Sequence, residues 1–466
     1  MDVKIVDTNN FDNVIRKRVG RTPLIRAKNL EKELGVSEIY LKLEGNNPSG
    51  HREDRLAYLI IRDALSRSKP VISMGTLGTV GASLAYLAQF YDVKCVFYVP
   101  KRKKIIRGIT ESDKVEIRPF GRTYEECVNE SRRVSEKYGW YDANPGLANN
   151  MTNMYAFSYV AEEIHEQIDS NVDTIFCQTS NGSSISGLNL GLKHLWVSEE
   201  ISKMPKIIAV STSHGNAIVE TYRSGVKNIM KLGQPDVSES KYNQNVINTE
   251  SFNGQDAINA IHDSLGKAIG ISDTDLLEAT RKFRELEDIK LSIPNSYPVA
   301  AFMKEVELGL IKEGKHVLIL NDGKVDIDIR NIKKSALQVN YNEFLKKLDD
   351  WLIQFSDPIE EIREAVDDAF NNGFVICAYR GNQLVGICIL STSKYEVFFP
   401  KYHLSYIATK RDIKGRGIAT MLIQKAIELT GGDFSLHVDT DNKRAIRLYE
   451  KMGLTKKYYR MFYTGS

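Results

Sequence analysis

Over the first 330 residues, short apolar runs alternate with segments whose apolar residues recur at helical spacing. Ile39–Leu43 (IYLKL), Val71–Met74, Cys95–Val99, Val115–Ile117, Thr174–Cys177, Ile207–Val210 and Val317–Leu320 predict strands. Arg55–Ser66, Gly81–Tyr91, Thr123–Tyr138 and Ala156–Ile168 predict helices. Strands that alternate with helices predict βαβ units and a largely parallel sheet, with ligand sites in the loops that follow the strands. The rhythm changes after residues 331–342 (NIKKSALQVNYN), which read as a linker. Beyond it, Glu343–Phe355 and Pro358–Asn371 predict helices, the second capped by Asp357. Phe374–Tyr379 and Gln383–Leu390 predict a hairpin turning at Arg380-Gly381-Asn382. An extended run, Tyr402–Thr409, leads through Lys414-Gly415-Arg416-Gly417-Ile418-Ala419-Thr420 into a helical stretch, Met421–Leu429. A strand at Phe434–Val438, an Asx-capped helix within Asn442–Gly453 and a last strand at Tyr458–Tyr463 complete the pattern.

Composition changes this picture little. The chain has 466 residues, so two or three domains are expected. Hydrophobic residues make up 42% and charged residues 26%, as in globular proteins. A net charge of +3 gives no reason to expect nucleic acid or an anionic membrane as partner. Cys95, Cys127, Cys177, Cys377 and Cys388 are dispersed, which fits reduced thiols and a cytoplasmic location. The N-terminus is polar and acidic, unlike a signal peptide, and no metal-ligand set is assigned.

Five loops carry candidate chemistry. Gly45–Arg55 and Gly75–Ser83 each join a predicted strand to a helix. Thr179–Gly187 contains Ser180, Asn181, Gly182, Ser183 and Ser184, small and hydroxylated residues able to cradle a phosphate at a helix N-terminus. Asn321–Lys324 follows the strand Val317–Leu320. The fifth is Lys414–Thr420, whose glycines let backbone N–H groups approach an anion. Taken alone, that run reads equally well as a basic turn capping an ordinary helix.

Arg21-Thr22-Pro23-Leu24, the Asn47-Pro48-Ser49-Gly50 loop ending in Asp54-Arg55, Gly75–Ser83, the Ser180–Ser184 loop and Asn295-Ser296-Tyr297-Pro298 occur in a telling order. Together they resemble the fold type II pyridoxal-phosphate enzymes, the tryptophan synthase β group, and within it the threonine synthase-like branch. The resemblance implies a two-lobed parallel-sheet domain over residues 1–330 and, through the family's habit, a homodimer. It also implies a Schiff-base lysine just before the Asp-Arg pair, where this chain has Glu53. An asparagine that contacts the pyridine ring is expected where this chain has Thr79. A carboxylate cannot form an imine. One reading is a degenerate domain that keeps an anion pocket at Ser180–Ser184. Noncovalent pyridoxal phosphate, or a lysine supplied from elsewhere, stays open.

Residues 343–466 resemble a GNAT-type N-acetyltransferase, an α/β domain. Lys414–Ala419 matches the family's acetyl-CoA loop, (Gln/Arg)-x-x-Gly-x-(Gly/Ala), with Lys in the first place. Asn442…Ala445…Leu448-Tyr449-Glu450-Lys451-Met452-Gly453 matches its next motif. The resemblance implies that Lys414, Gly415, Arg416, Gly417, Ile418, Ala419 and Thr420 meet the pyrophosphate. Ile407, Ala408 and Thr409 would pair with the pantetheine arm, and Asn442 would help hold the cofactor. Tyr449 would protonate the leaving thiolate, though it also reads as a core tyrosine. Glu396 is a candidate general base, with His403 a weaker one. The expected activity is acetyl-CoA-dependent N-acetylation of a small amine or amino acid. The alternative is a pyridoxal-phosphate lyase or synthase with an accessory acetyltransferase domain.

Overall fold

The computed structural model describes residues 18–102, 108–146, 149–168, 170–233, 236–311, 313–393, 400–411 and 417–457. The chain divides into two compact units, Met1–Val325 and Asp326–Ser466.

Two parallel-rich sheets organise the first unit. Its strands are β1 (Leu24–Arg26), β2 (Ile39–Leu43), β3 (Val71–Gly75), β4 (Lys94–Val99), β5 (Val115–Pro119), β6 (Tyr141–Asp142), β7 (Thr174–Gln178), β8 (Lys206–Thr212), β9 (Lys267–Ile271), β10 (Ile289–Lys290), β11 (His316–Leu320) and β12 (Lys324–Val325). One sheet runs β5-β4-β3-β6, all parallel; the other runs β1-β2-β11-β7-β8-β9, parallel except for β1. Buried runs such as Ile207, Ile208, Ala209 and Val210 form the central strands, because helices cover both faces of a parallel sheet. Apolar faces of helices Asp54–Ser66 and Thr79–Ala88 pack around Ile72, Cys95 and Phe97 in one core. Helices Ser183–Val197 and Gly254–Asp263 pack around Ile175, Ile207 and Val317 in the other.

A buried ion-pair network locks this unit. Arg55 Nε and Nη2 donate to the two Glu44 carboxylate oxygens at 2.8 and 2.9 Å. Its Nη1 and Nη2 donate to the Glu163 oxygens at 2.7 and 2.8 Å. Lys42 Nζ, fully buried on β2, donates to Glu163 at 2.7 Å and to the Thr22 carbonyl at 2.8 Å. Burial pushes the Glu163 carboxyl up, but Arg55 and then Lys42 outweigh it and hold it well below the usual carboxylate range. The network ties β2, helix Asp54–Ser66 and helix Asn150–Gln167 together, so it sets where the residues just before Asp54 stand.

The second unit is a five-stranded sheet, β13 (Asp328–Asn331), β14 (Phe374–Arg380), β15 (Gln383–Thr392), β16 (Tyr402–Thr409) and β17 (Phe434–Leu436), in that order. Its pairs are antiparallel except β16 with β17. Helices Tyr341–Leu352 and Ile359–Asn371 pack through Phe344, Leu348, Ile362 and Val366 against one set of strand side chains. Helix Ile418–Thr430 packs through Ile418, Leu422 and Ala426 against another.

Two expectations change here. Residues 331–342 are not a free linker: β13 pairs with β14, the Ile332 N–H donates to the Val375 carbonyl, and Ile332, Leu337 and Val339 pack on the second core. Only Asn331 belongs to β13; the spaced apolar residues that follow are claimed by a core that lies far away in sequence. Asp357 does not cap the following helix. Its carboxylate accepts the Tyr406 hydroxyl at 2.8 Å, and Pro358 stands at the cap without a side-chain bond. The strand expected at Tyr458–Tyr463 lies outside the described residues.

Replacing Glu163 with Gln leaves Lys42 and Arg55 short of one buried counter-charge, which typically costs ~3–5 kcal/mol. Amide exchange in helix Asn150–Gln167 should accelerate accordingly at neutral pH. Because the folded pKa lies below the unfolded one, this stability is present above about pH 4.3 and is lost as pH falls below it. The gap between wild type and Glu163→Gln should therefore narrow only in acid, and a gap that is flat down to pH 3 would contradict the network's role.

Candidate functional site

The first unit holds a cavity of about 140 Å³. A single buried water needs only ~10–15 Å³, so this space suits a small molecule. The loops singled out in the sequence converge on it: Arg52 and Glu53, Gly75 to Val80, Gln178 to Ser184, and Asn295 with Asn321. Glu53 and Thr79 thus line the same cavity as Ser180, Asn181, Gly182, Ser183 and Ser184.

At one end, Ser183–Val197 begins a fifteen-residue helix. Gly182 caps it at φ +99°, in the left-handed region that favours glycine, and a Cβ there would collide with the Asn253 carbonyl. Ser183 Oγ donates to Asn181 Oδ1 at 3.0 Å. Helix Thr79–Ala88 starts on the same cavity. Two helix starts at one space favour an anion, since their first N–H groups lack intrahelical acceptors.

At the other, Arg52 Nη2 donates to Glu53 Oε1 at 3.0 Å and Nη1 reaches Cys177 Sγ at 3.6 Å. The Arg52 guanidinium lies 5.1 Å from the centroid of Phe157. No lysine lines the cavity among the described residues. Lys42, the lysine nearest Glu53 in sequence, is held in the ion-pair network. The lining therefore fits a phosphate-bearing ligand but offers no amine for an imine. Tyr124, which the sequence reading missed, also lines the cavity, and its burial pushes the phenol above the usual range.

In the second unit, β17 pairs with β16 only through Tyr402, His403 and Leu404. The far edge of Ile407, Ala408 and Thr409 carries no neighbouring strand among the described residues. A register shift accompanies this: Ile389 faces Tyr406 while Leu390 faces Leu404, leaving Ser405 as the extra residue. Ser405 Oγ lies 2.7 Å from Ser391 Oγ. Gly417, at φ +73°, caps helix Ile418–Thr430, and Ile418, Ala419 and Thr420 form its first turn. Gly386 on β15 lets this helix approach: a Cβ there would meet Ile418 Cγ2 at 2.9 Å and Leu422 Cδ1 at 3.1 Å. Lys414, Gly415, Arg416 and Glu396 lie outside the described residues.

Asn442 accepts the Ala445 N–H at 3.1 Å and so caps helix Lys443–Lys451. That cap sets the start of the helix bearing Tyr449, which is buried. Burial, with the Cys388 thiol adding, pushes the Tyr449 phenol up to about 12, so it keeps its proton at neutral pH. His403 Nδ1 lies 3.0 Å from Ser435 Oγ, and its ring centroid is 4.7 Å from that of His437. Burial, then His437, lowers its pKa to about 4, which makes it a poor proton acceptor from an ammonium.

The two folds and their sites define an α/β chain that joins a fold type II pyridoxal-phosphate architecture to a GNAT acetyltransferase architecture. Residues 15–323 match the pyridoxal-phosphate dependent enzyme family, to which the chain belongs, and residues 341–454 match the acetyltransferase (GNAT) family. A threonine synthase of Methanocaldococcus jannaschii is 26% identical over 309 residues, spanning 65% of this chain and 74% of that protein. Cysteine synthase 1 of Emericella nidulans is 27% identical over 354 residues, spanning 72% of this chain and 89% of that one. The structure of maize serine racemase superposes with a TM-score of 0.53 at 18% identity, covering 68% of this chain and 95% of that one, which is a likeness of fold. Among the described residues, no helix is long and apolar enough to cross a membrane.

Gly386→Ala should overpack the contact with Ile418 and Leu422, a change that typically costs ~1–3 kcal/mol. Denaturant unfolding of the variant should show that loss. An unchanged midpoint would mean the helix does not depend on this close approach.

Proposed function

We propose that the chain is an acetyl-CoA-dependent N-acetyltransferase for a small amine or amino acid. In this reading the first unit has lost imine chemistry and serves as a substrate-binding or scaffolding partner. The observation that carries the proposal is the pairing, in one small unit, of an open β16 edge at Ile407–Thr409 with a glycine-capped helix start at Gly417–Thr420. An extended thioester arm can add to such an edge by backbone hydrogen bonds. A pyrophosphate suits the unpaired amides of Ile418, Ala419 and Thr420.

Acyl transfer also needs a donor for the thioester oxygen and a hydrogen-bond donor for the departing thiolate, which takes its proton from water after the C–S bond breaks. A β16 N–H at Ile407–Thr409 can act as the first, because charge grows on that oxygen only in the transition state. Tyr449 supplies the second. With its pKa near 12 it lies about 3 units above an ordinary thiol, so full transfer to a thiolate is uphill by about 4–5 kcal/mol. A hydrogen bond from the phenol to the developing thiolate gives the stabilisation without that cost. Glu396 remains the proposed proton acceptor from the amine.

The threonine and cysteine synthases among the relatives favour a second reading, in which the first unit performs pyridoxal-phosphate lyase or synthase chemistry. Against it stand Glu53 in the lysine position and, among the described residues, a cavity lining without an amine.

Purified chain should bind acetyl-CoA by calorimetry and release thiol when supplied with amino acids or diamines. Gly417→Glu should abolish that binding. Tyr449→Phe should lower kcat about a hundredfold with little change in the KM for acetyl-CoA. Failure of the wild type to bind acetyl-CoA would refute the acetyltransferase. Incubation with pyridoxal phosphate and borohydride should leave no reduced adduct, and a reduced lysine adduct would establish the second reading instead.

A further inference from the structure

Buried side-chain atoms without a hydrogen-bond partner gather around the cavity of the first unit. Glu53 Oε2, Asn153 Oδ1, Gln178 Oε1 and Asn321 Oδ1 are all such atoms, on residues that line it. Their residues are only 6%, 1%, 4% and 5% exposed. Each orphaned buried polar atom costs ~1–3 kcal/mol, so the group calls for a polar occupant. All four are acceptors. The Gln178 amide is oriented by Nε2, which donates to the Pro294 carbonyl at 3.0 Å and leaves Oε1 free. Among the described residues of the lining, the partnerless buried atoms able to donate are Arg52 Nε and the Thr179 hydroxyl.

A site rich in orphan acceptors asks for a ligand rich in N–H donors, and an ammonium has three donors and no acceptor. Among the described residues, Arg52 and Glu53 are the charged residues of the lining, and they pair with each other. The Glu53 oxygen that Arg52 does not engage keeps its lone pairs for an N–H donor of the ligand. The Ser180–Ser184 loop and the Thr179 hydroxyl supply the opposite preference, for an anion at a helix start.

We infer that this cavity is a noncovalent site for a phosphorylated primary amine, with Glu53 receiving the ammonium and the Ser180–Ser184 loop the phosphate. The inference rests on the absence of imine chemistry in the first unit. It goes further, because it reverses the polarity of recognition. Where a lysine would meet an aldehyde carbon, a carboxylate meets an amine carried by the ligand.

Titration calorimetry of the full chain with pyridoxamine 5′-phosphate, pyridoxal 5′-phosphate, O-phosphoethanolamine and inorganic phosphate tests this. At least one of the two amines should bind ten times more tightly than inorganic phosphate, and pyridoxamine phosphate ten times more tightly than the aldehyde. The O-phosphoethanolamine arm shows whether the aromatic ring is required. Glu53→Gln should erase the preference for amine over aldehyde. The wild-type comparison stands by itself if that variant fails to fold. Equal or tighter binding of the aldehyde without a borohydride-reducible adduct would overturn this inference alone. A reducible lysine adduct would overturn the imine-free reading beneath it. Binding of neither amine above phosphate would reduce the site to an adventitious ion only.

Discussion

The Arg55 guanidinium, clamped between Glu44 and Glu163 with Lys42 beside it, is the constraint on which the first unit depends. Two cations and two carboxylates are taken almost wholly out of water. That is tolerable because each charge has several hydrogen-bond partners and the charges balance. The cost of such a cluster makes it unforgiving of displacement. Arg55 is two residues from Glu53, so the network that orients the helix start also fixes where the Glu53 carboxylate points. The same network uses up Lys42, the lysine nearest in sequence, on a structural task.

The second unit solves a different problem. Every open sheet has edges, and here, among the described residues, β16 lacks a neighbour on one side over Ile407–Thr409 because β17 stops after pairing with Leu404. The extra residue at Ser405 lets β16 change course there. Exposed edges invite unwanted pairing, so one kept in a compact domain is a feature that selection has reason to remove unless it is used. The glycine at position 386 serves the same end from the opposite side, bringing the helix that starts at Ile418 close against the sheet.

The two units differ in how their chemistry is secured. In the first, several buried polar atoms on residues that line the cavity have no partner within the protein. In the second, Tyr449 and His403 are tuned by burial, which raises the phenol and lowers the imidazole. Both shifts favour the neutral form of the group.

Much was legible in the linear pattern. Runs such as Ile39–Leu43 and Val317–Leu320 became strands with nearly the expected limits, because fully buried parallel strands must be continuously apolar. The glycine loops and the Asn442 cap were legible too, because left-handed backbone and unpaired helix amides demand particular residues. Lys42 looked like one polar residue in a strand. Its partner Glu163 lies 121 residues away on a helix whose neighbouring carboxylates suggest a solvated face, so only folding could reveal the pair. Asp357 carried the local mark of a cap, and a long-range bond to Tyr406 claimed it instead. The edge strand β13, Asp328–Asn331, was not predicted, since edge positions need little apolar pattern. By itself the sequence determined which elements form and where glycine turns open helices, because those depend on local backbone chemistry. Tertiary structure alone decided which buried charges are satisfied among themselves and which buried polar atoms beside the cavity lack a partner, because such partners are found only in space.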